Sequence, residues 1–402
     1  MTTFILLFAS LYFEVFLLMA FVQGRFAKTA PATVTGSLPR VAIVVPCFNE
    51  SRTVGGTVTS LLALDYPKEL LEILIVDDGS TDDTLAVVQQ FKTDTRVRIF
   101  TKENGGKHTA MNLGLANTDA EFVGCLDADS SVAPDALRQI VSVFNDDRVA
   151  AVTPCILVRD PDTMLQHMQN VEYRLSIFNR FILAAIGSAF ITPGPFSFFR
   201  AAVVRQLGGW RYAHSTEDME MALRMQQDGW LIANAPAAIV HTSTPRTLRA
   251  LFKQRVRWTY GWLRNAVDYR GMFANGKYGN LSIIVLPSAI FSIFAGIYFF
   301  ARILWGAGKM IQSMFLRAQY GGIHPHASFD LYYFNTSAVL FVVYASVAMI
   351  LLLICVGSFI GTGSKKPPIS TPLFLLFYSF LVPIWLGTAV VRAIFKTGVS
   401  WR

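Results

Sequence analysis

The chain has 402 residues, 53% of them hydrophobic, and a positive mean hydropathy, which is too apolar for an ordinary soluble protein. Thirty-five basic residues against 27 acidic ones leave a net charge of +8, and since basic residues gather beside apolar stretches, this charge points to anionic lipid or a diphosphate and away from nucleic acid. The four cysteines, Cys47, Cys125, Cys155 and Cys355, have neither disulfide nor metal-ligand spacing and read as small buried residues of a reduced compartment.

Phe4–Val22 is long enough to cross a bilayer and carries Glu14 as its one charge. No basic residue precedes it, as one would in a secretory signal peptide, and Arg25, Lys28 and Arg40 come after it. The positive-inside tendency therefore places the polar region beyond this span in the cytoplasm. The expected organisation is a first span at 1–24, a linker at 25–39, a polar domain at 40–245, basic amphipathic helices at 246–278 and a membrane region at 279–402 with spans at 281–304, 339–360 and 373–394.

In the polar domain, Val41–Val45 is a β-branched strand broken by Pro46-Cys-Phe48-Asn49-Glu50, and a helix is expected over 52–64. Glu72–Val76 is a second strand ending in Asp77-Asp78-Gly79-Ser80, with Ser80 to Asp83 resembling a capping box. Val97–Phe100 is a third, leading to Asn104-Gly105-Gly106-Lys107 and a helix through about Ala116. Phe122–Leu126 is a fourth, ending in Asp127-Ala128-Asp129. Strands alternating with helices call for a mostly parallel sheet, whose ligands bind outside the carboxyl ends of the strands. Two carboxylates on a bend there suit Mg²⁺ or Mn²⁺ shared with substrate phosphates. Each cluster alone is also read as a turn; three together favour a nucleotide site.

Val149–Leu157 is a further strand, and the mixed amphipathic stretch Met164–Ala185 fits either a core or a membrane face. Pro193-Gly194-Pro195 is a stiff turn feeding the apolar run at 196–199. Ser215-Thr216-Glu217-Asp218 opens a helix, with Ser215 or Thr216 as its cap and Asp218 in the first turn, where the helix dipole favours the ionised form that a general base needs. Arg246–Arg270 holds seven basic residues against one acid, Asp268, interleaved with Leu251, Phe252, Trp258, Tyr260 and Trp262. That is the make-up of a helix in the membrane interface, and its Gln254-Arg255-Val256-Arg257-Trp258 could face the strand ends and neutralise a diphosphate.

Asp77-Asp78-Gly79-Ser80, Asp127-Ala128-Asp129, Thr216-Glu217-Asp218 and Gln254-Arg255-Val256-Arg257-Trp258 stand in the order and spacing of the processive family 2 glycosyltransferases, which include cellulose, chitin, hyaluronan and poly-N-acetylglucosamine synthases. The chain resembles them over about 40–262. The resemblance implies an α/β GT-A glycosyltransferase domain with helices on both faces of its sheet, plus a helical transmembrane region. It also implies a UDP-sugar donor, a divalent metal (Mg²⁺ or Mn²⁺) and a polysaccharide acceptor. By the match, Asp78 contacts the uracil, Pro46, Phe48, Asn49 and Glu50 line the base, and Lys107 and Arg257 lie at the nucleotide. Asp127 holds UDP and Asp129 reaches metal and diphosphate, so that both acids belong to the metal site. Asp218 deprotonates the acceptor hydroxyl with Glu217 beside it, Gln254 and Trp258 close over diphosphate and acceptor, and Pro193, Gly194 and Pro195 position the acceptor end.

The expected activity is inverting transfer to a growing β-linked polysaccharide coupled to export, with UDP-N-acetylglucosamine favoured over UDP-glucose. The expected location is the plasma or inner membrane with the catalytic domain cytoplasmic. One span before the domain and three after it are fewer than cellulose and hyaluronan synthases carry, which leaves room for a small membrane partner or a homo-oligomer. Three complete C-terminal spans would also put Arg392, Lys396 and Arg402 outside, against the positive-inside tendency. The rival readings are transfer of one sugar to a polyprenyl phosphate or other lipid, and an inactive membrane scaffold.

Overall fold

The computed structural model describes residues 2–26, 37–321 and 338–398; most of the expected linker and the terminal Arg402 lie outside them. After helix α1 (Thr2–Phe26), the polar domain alternates β1 (Val41–Cys47), α2 (Val54–Leu62), β2 (Leu71–Asp77), α3 (Thr84–Gln89), β3 (Val97–Thr101), α4 (Lys107–Ala116) and β4 (Phe122–Cys125). It continues through β5 (Ser130–Val132), α5 (Ala136–Val141), β6 (Val149–Val158), α6 (Met164–Ala185), β7 (Ser197–Arg200), α7 (Ala201–Gln206), α8 (Glu217–Gln227) and β8 (Leu231–Thr242). The sheet order is β3-β2-β1-β4-β7-β6-β8-β5. β3, β2, β1 and β4 run parallel, as does β6 with β8, whereas β7 is antiparallel to both neighbours and β5 is antiparallel to β8. The sheet is thus mixed, parallel in the half that the sequence resolves best.

The alternation of side chains along β1 sorts the two cores. Val41, Ile43 and Val45 join Val54, Val58, Leu61 and Leu137 on one face, and Ala42 and Val44 join Met111, Leu115, Phe199, Trp210 and Met221 on the other. Burial on both faces explains why β1 and β2 read as unbroken apolar runs.

Beyond the domain, α9 (Leu248–Asp268) is followed by α10 (Leu286–Gly321), α11 (Ala338–Thr362), the single turn α12 (Thr371–Leu373), and α13 (Ser379–Phe395) reached through a π-helical turn. Among the described residues four helices are long and apolar enough to cross a membrane: Thr2–Gly24, Leu281–Tyr320, Ala338–Thr362 and Thr371–Phe395. The second runs well past the expected end at Leu304; its 40 residues reach about 60 Å at 1.5 Å per residue, twice a bilayer's hydrocarbon core. Met164–Ala185 turns out to serve both readings. Ile177 of α6 packs on Cys155 and Leu157 of the sheet, while Phe178 and Ile182 pack on Leu17 of α1 and Leu353 of α11.

Candidate active site

The carboxyl ends of β1, β2 and β4 lie side by side, as the parallel register requires. Asn49 and Glu50 are stitched to the loop after β2, since Asn49 N donates to Ser80 Oγ at 2.9 Å, Thr81 N to Asn49 Oδ1 at 2.8 Å and Glu50 N to Thr84 Oγ1 at 2.7 Å. Pro46 is the penultimate residue of β1, paired with Val76, with Phe48 in the bend beyond the strand. The capping box expected at Ser80 is not formed. Ser80 is spent on Asn49, α3 begins at Thr84, and Asp82 accepts from Thr84 N at 3.0 Å in its place. Asp78 is buried, and its carboxylate accepts from Gly105 N at 3.0 Å, from Gly106 N at 2.8 Å and from Lys102 Nζ. The Asp-Asp-Gly-Ser loop and the Gly-Gly loop therefore form one rigid wall.

Asp127-Ala128-Asp129 is the bend expected of it. Ser130 N donates to Asp127 O at 3.0 Å, and the chain turns into β5, whose pairing with β8 is sealed by Ser130 Oγ on Thr242 Oγ1 at 2.9 Å. Asp127 binds Lys107 Nζ, which also stands 3.7 Å from Glu217 Oε1. Burial alone would lower the Lys107 pKa, but these two carboxylates hold the ammonium well above its ordinary value. Asp129 is pushed up to about 7, first by burial and then by the charges of Asp127 and Glu50. A carboxylate driven toward its protonated form by neighbouring acids is one that a cation would relieve. Among the described residues no three His, Cys, Asp or Glu side chains cluster as a complete cage. Asp127 and Asp129, whose charges repel, fit a hard cation of the Mg²⁺ type, which takes one or two carboxylates and leaves its remaining positions to phosphate and water.

The Glu217-Asp218 end of α8 meets this cluster. Thr192 Oγ1 donates to the Asp218 carbonyl at 2.6 Å, and the Asp218 carboxylate accepts from Met219 N at 2.8 Å. Its pKa is raised to about 6 by burial and by Glu217, against the pull of Lys107 and Arg257. A base with that value is ionised near neutrality and still basic enough to take a proton. The expected cap is half right: Thr216 occupies the N-cap position, but its hydroxyl donates to Ala213 O at 3.0 Å and accepts from Asn265 at 2.9 Å instead of capping the helix.

Gly194 explains the Pro-Gly-Pro turn. A Cβ there would stand 2.7 Å from an Asp127 oxygen and would overlap Lys107 Nζ. Its backbone is outside the left-handed region, so a Cβ there would act by bulk alone, pushing the ends of the Lys107 and Asp127 side chains aside. Gly194→Ala is expected to displace the Lys107–Asp127 pair and to reduce turnover by about 10- to 100-fold; unchanged turnover would show that the pair has slack.

Arg257 of α9 reaches the same place. Its Nη1 donates to Ser215 O at 3.2 Å, and its pKa, lowered by burial, is raised again by Glu217, Asp218 and Asp127. Gln254 and Trp258 flank Arg255 on the same helix: Gln254 Oε1 accepts from its Nη1 at 3.2 Å and the guanidinium lies 4.4 Å over the Trp258 ring. Arg255 is itself buried against Glu172 at 2.6 Å, and Glu172 accepts from Tyr378 at 2.7 Å, tying α9 and α6 to the apolar segment Thr371–Phe395.

Sequence reasoning missed the supports of the Thr-Glu-Asp turn. Ala213, His214 and Ser215 are three successive non-glycine residues in the left-handed region, with φ of 45°, 55° and 66°, each costing about 1 kcal/mol or more. α9 holds them there: Arg257 on Ser215 O, Gly261 with no room for a Cβ against Thr216, Asn265 on Thr216 Oγ1, and Asp268 at 2.7 Å from His214 Nε2. The lone acid of the basic stretch is thus a clamp, and positions 257, 261, 265 and 268 form a helical stripe that spacing alone could have shown. Asp268→Asn should lower kcat about tenfold with the donor KM unchanged, and His214→Ala added to it should cost nothing more. A raised KM would mean that the turn serves donor binding.

A family profile described as "Glycosyltransferase like family 2" matches residues 39–261, more than half of the chain. The chain belongs to glycosyltransferase family 2. Among relatives, a poly-beta-1,6-N-acetyl-D-glucosamine synthase of Staphylococcus epidermidis is 26% identical over 359 residues, 88% of this chain and 82% of the relative. One of Staphylococcus aureus is 31% identical over 253 residues, 62% of this glycosyltransferase and 60% of the relative. Among solved structures, a mannosyltransferase of Pyrobaculum calidifontis in complex with GDP-Man and Mn²⁺ superposes with a TM-score of 0.64 at 18% identity, covering 98% of this chain and 99% of that one. The glycosyltransferase therefore shares the GT-A fold of that structure.

Proposed function

We propose that this glycosyltransferase moves a sugar, with inversion, from a UDP-sugar to a growing β-linked polysaccharide, with UDP-N-acetylglucosamine favoured over UDP-glucose. It would act at the cell membrane with its catalytic domain on the cytoplasmic side, transfer being coupled to export of the polymer. The observation that carries the reading is the convergence of Asp127, Lys107, Glu217, Asp218 and Arg257 around Gly194. The relatives are poly-N-acetylglucosamine synthases in name, one of them over most of this chain, which favours the donor.

In this reading the loops after β1 and β2 hold the base, with Pro46, Phe48, Asn49, Glu50 and Asp78 along it. Asp127 and Asp129 would hold Mg²⁺ or Mn²⁺, which supplies charge neutralisation to the departing diphosphate. Lys107 and Arg257 add fixed positive charge where negative charge grows on UDP. Asp218 takes the proton of the acceptor hydroxyl as its oxygen bonds to the anomeric carbon, and the bond to UDP breaks on the opposite face, giving a β-linkage from an α-linked donor. Pro193, Gly194, Pro195, Gln254 and Trp258 would border the acceptor.

A donor screen read by UDP release, with sizing of labelled product, tests this. A ladder or long polymer from UDP-N-acetylglucosamine is expected. A single sugar on an organic-soluble lipid would replace the polymer reading, and release from UDP-glucose alone would replace the donor.

A further inference from the structure

Outside the active site, α6, the end of β6 and the end of α11 gather a set of cations that form no ion pair among the described residues. Arg174 and Arg180 project from α6 on either side of Ile177, which packs on Cys155 and Leu157 of β6. Arg159 comes directly after β6, its backbone N donating to Thr242 O at 2.9 Å, and His241 of β8 lies in register with Leu157. The end of α11 closes the group. A Cβ at Gly361 would stand 3.5 Å from Arg174 Nη1 and 3.3 Å from Cys155 Sγ. Beyond that end, Lys365 and Lys366 are exposed.

Among the described residues, Arg159 Nη2, Arg174 Nη1, and Nε and Nη2 of Arg180 are buried and have no hydrogen-bond partner. Arg180 Nη1 donates to Ser176 Oγ at 3.0 Å. Among the described residues none of the three guanidinium groups forms an ion pair. The arginines act on shared neighbours: the pKa of His241, lowered by burial, is lowered further by Arg159 and Arg174 against the exposed Asp160. The Cys155 thiol, pushed up to about 11 by burial, is drawn back by Arg180 and Arg174. Buried cations without counterions are strongly unfavourable, and orphaned buried donors call for an occupant. Guanidinium forks match phosphate oxygens, and the group sits where a helix long and apolar enough to cross a membrane meets the catalytic domain.

We propose that Arg159, Arg174 and Arg180, with His241, Lys365 and Lys366 beside them, bind the phosphate of an anionic phospholipid headgroup at the junction of the catalytic domain and α11. The site takes no part in sugar transfer, so it stands or falls independently of the donor and the polymer. Its occupant would pin α6, whose Glu172 anchors α9 through Arg255, to the membrane surface.

The test uses the full chain in nanodiscs of phosphatidylcholine, with and without phosphatidylglycerol, and reads thermal melting together with lipid retained in native mass spectra. Phosphatidylglycerol should raise the melting temperature of the wild type by about 3–6 °C and be retained on it. The double variant Arg174→Met, Arg180→Met should lose both effects, and in phosphatidylcholine it should melt no lower than the wild type, because it no longer carries uncompensated charge. Arg180→Gln, the milder change, should show a reduced gain if the double variant does not fold. A gain that persists in the variants, or variants that melt lower without anionic lipid, would overturn the site. An equal gain from inorganic phosphate in phosphatidylcholine discs would overturn the lipid assignment in favour of a soluble anion.

Discussion

Asp218→Asn is expected to reduce sugar transfer by on the order of a thousandfold while UDP binding survives, because the variant keeps the size and the Met219 contact of the side chain and loses only the proton acceptor. Two further results should accompany it. Since burial and Glu217 raise Asp218 to about 6, wild-type turnover should fall as pH drops through about 6, where the base becomes protonated, and the residual activity of the variant should lack that step. The linkage sign for stability is opposite to that of activity. A carboxyl whose pKa is higher in the folded than in the unfolded chain favours folding below its folded value and opposes it above. The neutral asparagine should therefore leave the melting temperature at pH 7 unchanged or higher. Loss of UDP binding in Asp218→Asn would remove Asp218 from the role of base.

The second large effect is expected at Asp129. UDP should bind the wild type more tightly with Mn²⁺ than without, and Asp129→Ala should lose that increment, on the order of a hundredfold in Kd or about 2.7 kcal/mol. The cause is electrostatic: Asp129 is pushed to about 7 by burial, Asp127 and Glu50, a repulsion that a bound cation reverses. Calorimetry of UDP with and without Mn²⁺ reads it directly. Equal binding by the wild type in both conditions, or an increment kept by the variant, would dismiss the metal from this site. In metal-free buffer the variant should bind UDP at least as well as the wild type, since one negative charge near the diphosphate has gone.

The polymer question turns on space as well as chemistry. The domain is held to the apolar helices by the chain Arg255–Glu172–Tyr378 and by the packing of α6 on α1 and α11. That linkage is one ion pair, Arg255–Glu172, extended by the Tyr378 hydroxyl, so the seating of the domain on the apolar helices rests on side-chain contacts as well as on the chain connection. Breaking it at Glu172 would leave Arg255 buried without its partner, the costly kind of deletion.

Much of this was legible in the residues themselves. Val41–Val45, Glu72–Val76 and Phe122–Leu126 are apolar because both faces of a parallel sheet are covered, and acids and glycines come after them because strand ends meet ligand and turn. Local pattern therefore located β1, β2, β4 and the four apolar helices, and the clusters at Asp78, Asp127, Asp129, Asp218 and Arg257. Local pattern was silent on β5 and β8, where Ser130-Ser131-Val132 owes its extended form to pairing with Val240–Thr242 of β8, and Asn234-Ala235 to pairing with Thr153 and Pro154 of β6, not to their own propensity. It misplaced the cap of α3, since Ser80 was drawn away by Asn49 from another loop. Only the tertiary structure decided that Gly194 presses on Asp127, that Asp268 clamps His214 and that Arg257 turns toward the carboxylates while Arg255 turns away. Those are contacts between residues tens to more than a hundred positions apart, and one-dimensional spacing carries no record of which distant side chain will fill the space beside another.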